Sequence, residues 1–308
     1  MEPRARRRKS RKLWLKIPLA ILLLVGLGIG GYAYSVYTNA KKTVDEEMNA
    51  PVESIDRTIT EKKMESTEPL NILLLGVDER EGDSGRSDAV MVLSLDPKND
   101  AMQLVSIPRD TLTMISGEGF EDKINHAYAY GGADMSVATV EEFLDIELDY
   151  YVEMNMIGLI ELVDELGTIT VDNEVAWNDG RYQFEEGPTE MDGDKTMAYV
   201  QMRKQDPNGD FGRQERQRKV IEGIIDEGVT AASVTKINST IDILGDNMTT
   251  NLEFDDMKKL MNDYMDTRKN FSSYQMAGDG TMIDGIYYLI VPEEEIQKVH
   301  NLVDKKEI

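Results

Sequence analysis

The pattern of hydrophobic and polar positions divides the chain into an apolar N-terminal stretch, a polar segment and a long region of mixed periodicity. No charged residue occurs from Ile17 to Ala40, and about 20 of these residues could cross a hydrocarbon core. We predict a transmembrane helix at residues 17–37 rather than a cleaved signal peptide, because the apolar run is too long for a signal peptide and no A-x-A site follows it.

The residues on either side of this predicted span indicate its orientation. Residues 1–16 are rich in Lys and Arg, so the positive-inside rule places this basic tail in the cytoplasm and the rest of the chain outside the cell. Residues 38–68 are polar and charge-rich, which is typical of a stalk. We therefore predict an extracellular stalk at 38–68 and a folded ectodomain at 69–308.

From Leu70 onward, short apolar runs alternate with turn signals and with amphipathic stretches. The predicted strands are 70–77, 89–95, 101–107, Tyr150–Met154, Ile169–Val175, Met197–Met202, Ser273–Ala277 and Ile286–Val291. The predicted helices are 133–145, 156–166, 211–227, 234–244, 254–266 and one after Pro292. This order predicts an α/β fold, in which a mixed central β-sheet carries helices on both faces and one transmembrane helix precedes it.

A compact turn at residues 96–100 predicts that the second and third strands form a hairpin. If the first strand is adjacent to this hairpin, Asp78, Arg86, Asp88 and Arg109 converge at one end of the sheet. Asp78 and Asp88 then suit a hard cation such as Mg²⁺, which keeps several waters and shares phosphate oxygens. The competing interpretation is a solvated acidic turn.

The predicted helix at 211–227 has an apolar stripe that ends in polar residues. Stepping back four residues at a time from Ile221 gives Gln217 and then Arg213, and Asp210 is a good N-cap. An inward-facing cation at a helix N-terminus favours an anion such as phosphate. Alternatively, Arg213 pairs with a buried carboxylate and only fixes the helix.

Composition narrows the classes of function. The 308 residues contain no cysteine, which excludes disulfides, thiol nucleophiles and Cys-ligated zinc. The net charge of −24 repels nucleic acid and argues against it as a partner, so a phosphate-bearing ligand needs a local positive site. The 41% hydrophobic content is sufficient for a substantial core.

Five motifs occur in order along the chain: LLLGVDER, RSDAVMVLSL, SIPRD, DKINHAYAYGG and GDFGRQERQR. Together they resemble the LytR-CpsA-Psr family of wall-polymer transferases. The resemblance implies a membrane-anchored extracellular phosphotransferase of the Gram-positive type. It would move an anionic glycopolymer, such as teichoic acid, from a polyprenyl-pyrophosphate carrier to a sugar hydroxyl of peptidoglycan. The implied cofactor is Mg²⁺ or Mn²⁺, the implied partners are these substrates and membrane lipid, and we expect a monomer or weak oligomer.

The resemblance also assigns roles to individual residues. The metal ligands would be Asp78 and Asp88. The pyrophosphate-binding residues would be Arg86, Arg109, Arg203, Arg213, Gln217 and Gln201. Among these, Arg109 and Arg213 would act in catalysis together with Asp210, and Asp110 or Asp210 could serve as the base.

Position 201 departs from the family pattern, which usually has an arginine two residues before Arg203. On the predicted strand, Gln201 and Arg203 would project from the same face toward the pyrophosphate. Gln201→Arg is then expected to tighten ligand binding.

Two other functions remain open at the level of sequence. A polyprenyl-pyrophosphate hydrolase would use the same arginines and metal but present water instead of a sugar. A non-catalytic membrane regulator is the other, although the predicted cytoplasmic tail at 1–16 is too short for a folded DNA-binding domain.

Overall fold

The computed structural model of the protein describes residues 30–78, 85–228 and 236–304. The predicted cytoplasmic tail lies outside these residues, as does the predicted transmembrane helix up to residue 29. Residues 30–42 form a helix, which we label α1. Within the described ranges, no helix combines the length and the apolar character that a bilayer span requires.

The described elements include most of the predicted strands and helices and several short strands that the sequence does not predict. The strands are β1 (Leu70–Asp78), β2 (Arg86–Asp96), β3 (Ala101–Ile107), β4 (Leu112–Met114), β5 (Glu121–Lys123), β6 (Tyr150–Asn155), β7 (Ile169–Asn173), β8 (Trp177–Asn178), β9 (Gln183–Phe184), β10 (Gly187–Met191), β11 (Met248–Thr250), β12 (Asn270–Gln275), β13 (Asp279–Ile283) and β14 (Ile286–Ile290). The α-helices after α1 are α2 (Arg57–Ser66), α3 (His126–Leu144), α4 (Met156–Leu166), α5 (Gly193–Gln201), α6 (Asp210–Gly228), α7 (Ile237–Asn247), α8 (Phe254–Lys259) and α9 (Glu293–Val303). Two π-helical segments, Thr43–Met48 and Leu260–Tyr264, and the 3-10 helix Met265–Lys269 complete the set.

Six strands form the central sheet in the order β11–β6–β1–β2–β3–β12. Antiparallel pairing joins β1 to β2, β2 to β3 and β6 to β11, while β1 pairs in parallel with β6 and β3 with β12. The predicted mixed sheet is therefore confirmed. As a consequence, β1, β3, β6 and β12 all end at the edge where β2 begins, which we call the carboxyl end of the sheet.

Alternate residues of β1 pack into different apolar clusters, as the period of a strand requires. Leu73 and Leu75 face α3 and α9. Ile72 lies on the opposite face, in a cluster with Met64 of α2 and Met257 of α8. Helices thus cover both faces of the sheet, and the predicted α/β arrangement is confirmed.

A third apolar cluster lies between α4, α5, α6 and two small sheets, β7–β10 and β8–β9. Trp177 of β8 stacks on Phe184 of β9 with ring centroids 3.9 Å apart. The predicted strand at Ile169–Val175 is present as β7, but it pairs with β10 rather than with the central sheet. This cluster holds α5 and α6 together beside the carboxyl end of the central sheet.

The segment that was predicted to be a stalk, residues 38–68, lies against the domain. Ala40, Val44 and Met48 are buried, and so is Met64 of α2. The first three recur at four-residue spacing, so they form one apolar helix face. The polar composition of this segment conceals that face, which explains the difference from the prediction.

The predicted strand at Met197–Met202 is wrong, because this segment is mostly helical and belongs to α5. Asp192 accepts a hydrogen bond from the backbone N–H of Lys195 at 2.9 Å and so caps the start of the helix. The chain becomes extended only after the last helical residue. Gln201 and Arg203 therefore do not share one face of a strand.

The contact between α4 and α5 can be tested at Gly193. A Cβ atom at this position would meet the backbone carbonyl oxygen of Ile160, which cannot move as a side chain can. We expect Gly193→Ala to lower the free energy of unfolding by about 1–3 kcal/mol, measured by chemical denaturation.

Gly223→Ala is the matched control, because the nearest atom to its Cβ would lie at an ordinary 3.4 Å and the residue is also helical. This variant is expected to be neutral or more stable by up to about 1 kcal/mol. Equal stability of the two variants would show that α4 and α5 are not packed as closely as the structure has them.

Candidate active site

The register of the first three strands gathers four of the predicted site residues at the carboxyl end of the sheet. Asp78 lies opposite Arg86, after a register shift at Gly76/Val77. Arg109, two residues beyond β3, donates from Nη1 to Oδ1 of Asp88 at 2.5 Å. The predicted convergence of these residues is confirmed, while their chemical roles remain predictions.

The guanidinium of Arg109 is only partly satisfied by its neighbours. Burial opposes its charge, but the adjacent Asp88 outweighs this effect, so the pKa of Arg109 lies above its ordinary value. Its Nε is buried without a hydrogen-bond partner among the described residues, and the nearer oxygen of Asp110 is 3.8 Å away. Asp110 instead accepts a hydrogen bond from Nζ of Lys123 at 2.6 Å. Arg109 therefore keeps one N–H donor for another acceptor.

The N-terminus of α6 supplies a second buried guanidinium. Arg213 has a side chain that is only 11% exposed, with Nη2 located 2.5 Å from Oδ1 of Asp210. Burial lowers the pKa of Arg213, and Asp210 offsets this only in part because Arg109 and Arg203 add like charge. Its Nε also has no hydrogen-bond partner in the part of the chain that the structure describes.

These two cations differ from the cations of an ordinary structural ion pair. Among the described residues, the carboxylate that each contacts leaves a buried donor unmet, and burial holds the pKa of Arg213 below its ordinary value although Asp210 raises it. An anion that reached both guanidinium groups would accept their buried N–H donors and offset the burial of charge. Of the two alternatives for Arg213, the structure shows the carboxylate pair and also leaves capacity for an anion.

Arg203 and Gln201 lie at the side of this cluster. Arg203 is 56% exposed, and its Nε is 3.9 Å from Oδ1 of Asp210. Gln201 ends α5, is exposed, and places its Nε2 at 3.4 Å from Sδ of Met156. Both line an open groove of about 650 Å³ next to Tyr182. The structure thus brings Arg203 to the cluster and gives Gln201 a position along the groove.

An apolar pocket of about 180 Å³ lies beside the cluster, between the central sheet and α4, α5 and α6. Asp88 and Gln217 are polar residues in its lining, so it adjoins the arginines. Its apolar lining includes Leu74, Val77, Met91, Val152, Met154, Leu159, Met197, Val200, Val220 and Ile221. Sequence reasoning missed these residues, because a pocket lining and an ordinary core have the same composition.

Arg216 is a residue of the same helix to which sequence reasoning gave no role. It is buried, donates from Nε to the carbonyl oxygen of Tyr199 at 3.0 Å, and also bonds the carbonyl of Met202 and the carboxylate of Asp206. These bonds hold the loop that carries Arg203. The only signal in the sequence is its position one turn after Arg213.

Asp78 and Asp88 could bind a magnesium ion only if phosphate oxygens and waters completed its coordination. No group of three or more His, Cys, Asp or Glu side chains that could hold a metal occurs within residues 30–78, 85–228 and 236–304. Asp78 and Asp88 are two carboxylates at one sheet end, and one oxygen of Asp88 already accepts from Arg109. Magnesium accepts such an incomplete set because it retains waters and takes phosphate oxygens as ligands.

A sequence profile of the LytR_cpsA_psr family matches residues 31–305 of the chain. The chain belongs to this family. The resemblance that the five motifs indicate is thereby confirmed.

Individual known proteins are similar to most or nearly all of the chain. The sequence is 42% identical over 296 residues to the polyisoprenyl-teichoic acid–peptidoglycan teichoic acid transferase TagU of Bacillus subtilis (strain 168), covering 96% of each chain. The solved structure of TagT bound to LIIa-WTA is 30% identical with a TM-score of 0.67, covering 84% of this chain and 95% of that one. A solved protein from Enterococcus faecalis, described as a transcriptional regulator, is 37% identical with a TM-score of 0.70, covering 79% and 88%.

The unmet donors can be tested by direct binding. We expect Arg213→Lys to weaken the binding of inorganic pyrophosphate by about tenfold or more, since an ammonium cannot reproduce the planar two-pronged contact of a guanidinium. Isothermal titration at fixed salt measures this effect. Arg268→Lys is the matched control, because Arg268 is exposed in the 3-10 helix Met265–Lys269, which precedes β12 and lies away from the carboxyl end of the sheet. Unchanged affinity in Arg213→Lys would show that its charge is structural.

Proposed function

We propose that this protein is a membrane-anchored extracellular phosphotransferase. It transfers an anionic glycopolymer, teichoic acid or a similar polymer, from a polyprenyl-pyrophosphate carrier to a sugar hydroxyl of peptidoglycan. The observation that carries the proposal is the pair of buried guanidinium groups with unmet donors, Arg109 and Arg213, next to an apolar pocket. The relative from Bacillus subtilis, named as a teichoic acid transferase, supports the same reaction.

The site matches both parts of an amphipathic carrier. The arginines suit a pyrophosphate, because guanidinium groups bind phosphate oxygens through two parallel hydrogen bonds. The adjoining pocket is lined mainly by aliphatic and methionine side chains, which suit isoprene units. Inorganic pyrophosphate or another ligand without an apolar part would leave this pocket unused.

The proposed chemistry needs positioning and charge neutralisation more than a nucleophilic side chain. The acceptor hydroxyl oxygen forms a bond to the phosphorus that carries the polymer, and the bond from that phosphorus to the bridging oxygen breaks. The products are a phosphodiester and polyprenyl phosphate. We assign Arg109 and Arg213 to the phosphate oxygens and Asp210 to the proton of the hydroxyl. Asp78 and Asp88 would hold Mg²⁺ or Mn²⁺, which supplies further neutralisation of phosphate charge.

Transfer and hydrolysis can be separated with one substrate. Purified full-length protein is incubated with a polyprenyl-pyrophosphate glycopolymer, with and without peptidoglycan. We expect polymer linked to peptidoglycan through a phosphodiester to appear only with the acceptor, and polyprenyl phosphate to form in step with it. Release of polymer at the same rate without acceptor would instead support the hydrolase, and no turnover in either case would favour the regulator.

The proposed role of Asp78 and Asp88 as metal ligands can be tested separately. We expect Asp78→Asn and Asp88→Asn to lose metal-stimulated transfer, because each substitution removes a charged oxygen ligand and keeps the shape of the side chain. Transfer is measured across a titration of Mg²⁺ and of Mn²⁺, with unfolding midpoints as a check on folding. Asp246→Asn, at an exposed position of α7, is the control. Full metal stimulation in both variants would contradict the assignment.

A further inference from the structure

Two exposed aromatic rings and a histidine form an ordered surface at the start of α3. Phe120, just before β5, is 41% exposed, and Tyr130 is 47% exposed. Their rings meet edge to face with centroids 5.6 Å apart, and the ring of His126 lies 6.3 Å from that of Tyr130. We call Phe120, His126 and Tyr130 the aromatic platform.

Asp122 holds two members of the platform in place. Its Oδ2 accepts a hydrogen bond from the hydroxyl of Tyr130 at 2.7 Å and lies 2.8 Å from Nδ1 of His126. Burial raises the pKa of Asp122, but the bonds from His126 and Tyr130 outweigh it, so the pKa lies below its ordinary value. Because a carboxylate only accepts, the proton of a neutral His126 ring is on Nδ1. Nε2 is then the acceptor of the ring, in a side chain that is 26% exposed.

This order contributes little to the stability of the fold. Fixing exposed side chains costs conformational entropy and buries little apolar area. Such order favours binding instead, because side chains that are already fixed lose less freedom when a ligand arrives. Gly131 and Gly132 leave the helical conformation directly after Tyr130, so the first turn of α3 is oriented separately from the rest of the helix.

The platform adjoins the segment that carries Arg109. The backbone N–H of Asn125 donates to the carbonyl oxygen of Arg109 at 3.3 Å, and Nζ of Lys123 bonds Asp110. His126 follows Asn125 directly, so its Cα is about 3.8 Å along the chain from this contact. The platform therefore lies at the carboxyl end of the sheet, beside the arginines of the candidate active site.

The platform and the apolar pocket lie on opposite faces of the central sheet. Tyr128 of α3 packs in the cluster that contains Leu73, whereas Leu74 and Met91 line the pocket. Neighbouring residues of a strand point to opposite faces. If the polyprenyl end of the carrier occupies the pocket, the attacking hydroxyl arrives from the other side, because attacking and leaving oxygens lie roughly in line with the phosphorus. The platform is on that side.

Charge indicates which of the two substrates the platform fits. Glu118 and Glu121 are exposed beside it, and Asp122 is ionised. These charges repel an anionic glycopolymer, to which the groove with Arg203 and Lys204 offers cations instead. The sugar rings of a glycan strand have an apolar C–H face that packs on an aromatic ring and hydroxyls that bond polar groups at its edge.

We propose that the aromatic platform binds the acceptor glycan of peptidoglycan, with one sugar ring packed on Tyr130 and one of its hydroxyls donating to Nε2 of His126. This inference rests on the proposed function, since it concerns the acceptor of that reaction. His126 and Tyr130 position the strand, and the hydroxyl that attacks the phosphorus belongs to the adjoining part of the strand, nearer Arg109.

Binding of a soluble peptidoglycan glycan fragment without peptide stems, measured with the full-length protein, tests the site directly. Tyr130→Ala removes the ring, and His126→Asn keeps a nitrogen close to Asp122 but removes Nε2. Tyr37→Ala is the matched control, because Tyr37 is 45% exposed and meets Phe254 edge to face at 5.2 Å. This pair lies past the end of β11, away from the carboxyl end of the sheet.

We expect Tyr130→Ala and His126→Asn to weaken glycan binding several-fold and Tyr37→Ala to leave it unchanged. Isothermal titration measures these affinities, and all three variants are expected to bind inorganic pyrophosphate as the unmodified protein does. Unchanged glycan affinity in both platform variants would overturn the proposal. So would the absence of glycan binding by the unmodified protein.

Kinetics separate this inference from the proposed function. We expect Tyr130→Ala and His126→Asn to raise the KM for the acceptor glycan several-fold and to leave the KM for the polyprenyl-pyrophosphate donor unchanged. A higher KM for the donor alone would overturn the proposal, because the platform would then bind the anionic polymer. If the unmodified protein transferred no polymer, the proposed function would fail, while weaker glycan binding in the platform variants would still support the glycan site.

Discussion

The antiparallel pairing of β1 with β2, and in particular its register shift at Gly76/Val77, is the constraint on which the candidate site depends. A side chain at Gly76 would crowd Ala89, with its Cβ only 3.1 Å from that of the alanine, so the two strands approach closely just before the shift. Beyond it, Asp78 faces Arg86, and Asp88 is positioned to meet Arg109. A different register would send these side chains to separate faces of the sheet.

The buried arginines of the site differ in how completely their N–H groups are bonded. Arg216 bonds two backbone carbonyls and the carboxylate of Asp206, so it fixes the loop after α5. Within the described residues, Arg213, one turn earlier, is held by one carboxylate and retains a buried N–H without an acceptor. A protein that needed only stability would satisfy both groups, since an unmet buried donor is unfavourable. The unmet donor is intelligible if an anion normally accepts it.

The sequence predicts β1, β2 and β3 well, because the apolar runs within residues 70–107 are the segments that form buried strands. It fails at Met197–Met202, where an aromatic and a β-branched residue suggest a strand. There the cap at Asp192 and the packing of Gly193 on α4 favour a helix, and neither is visible in a six-residue window. The motifs identify Arg109 and Arg213, whereas the pocket lining depends on the distances between separate elements. No local pattern in the sequence predicts such distances.

Gln201 lies at the end of helix α5 and not on a strand, and this changes what its side chain can contact. On a strand, Gln201 would have shared a face with Arg203 and pointed at the pyrophosphate. At the end of α5 it instead lines the groove with Tyr182 and contacts Met156. An arginine at a helix C-terminus would meet the negative end of the helix dipole and extend along that groove. The amide at this position therefore leaves the groove without the positive charge that an arginine would bring to it, while the buried donors of Arg109 and Arg213 lie on other elements.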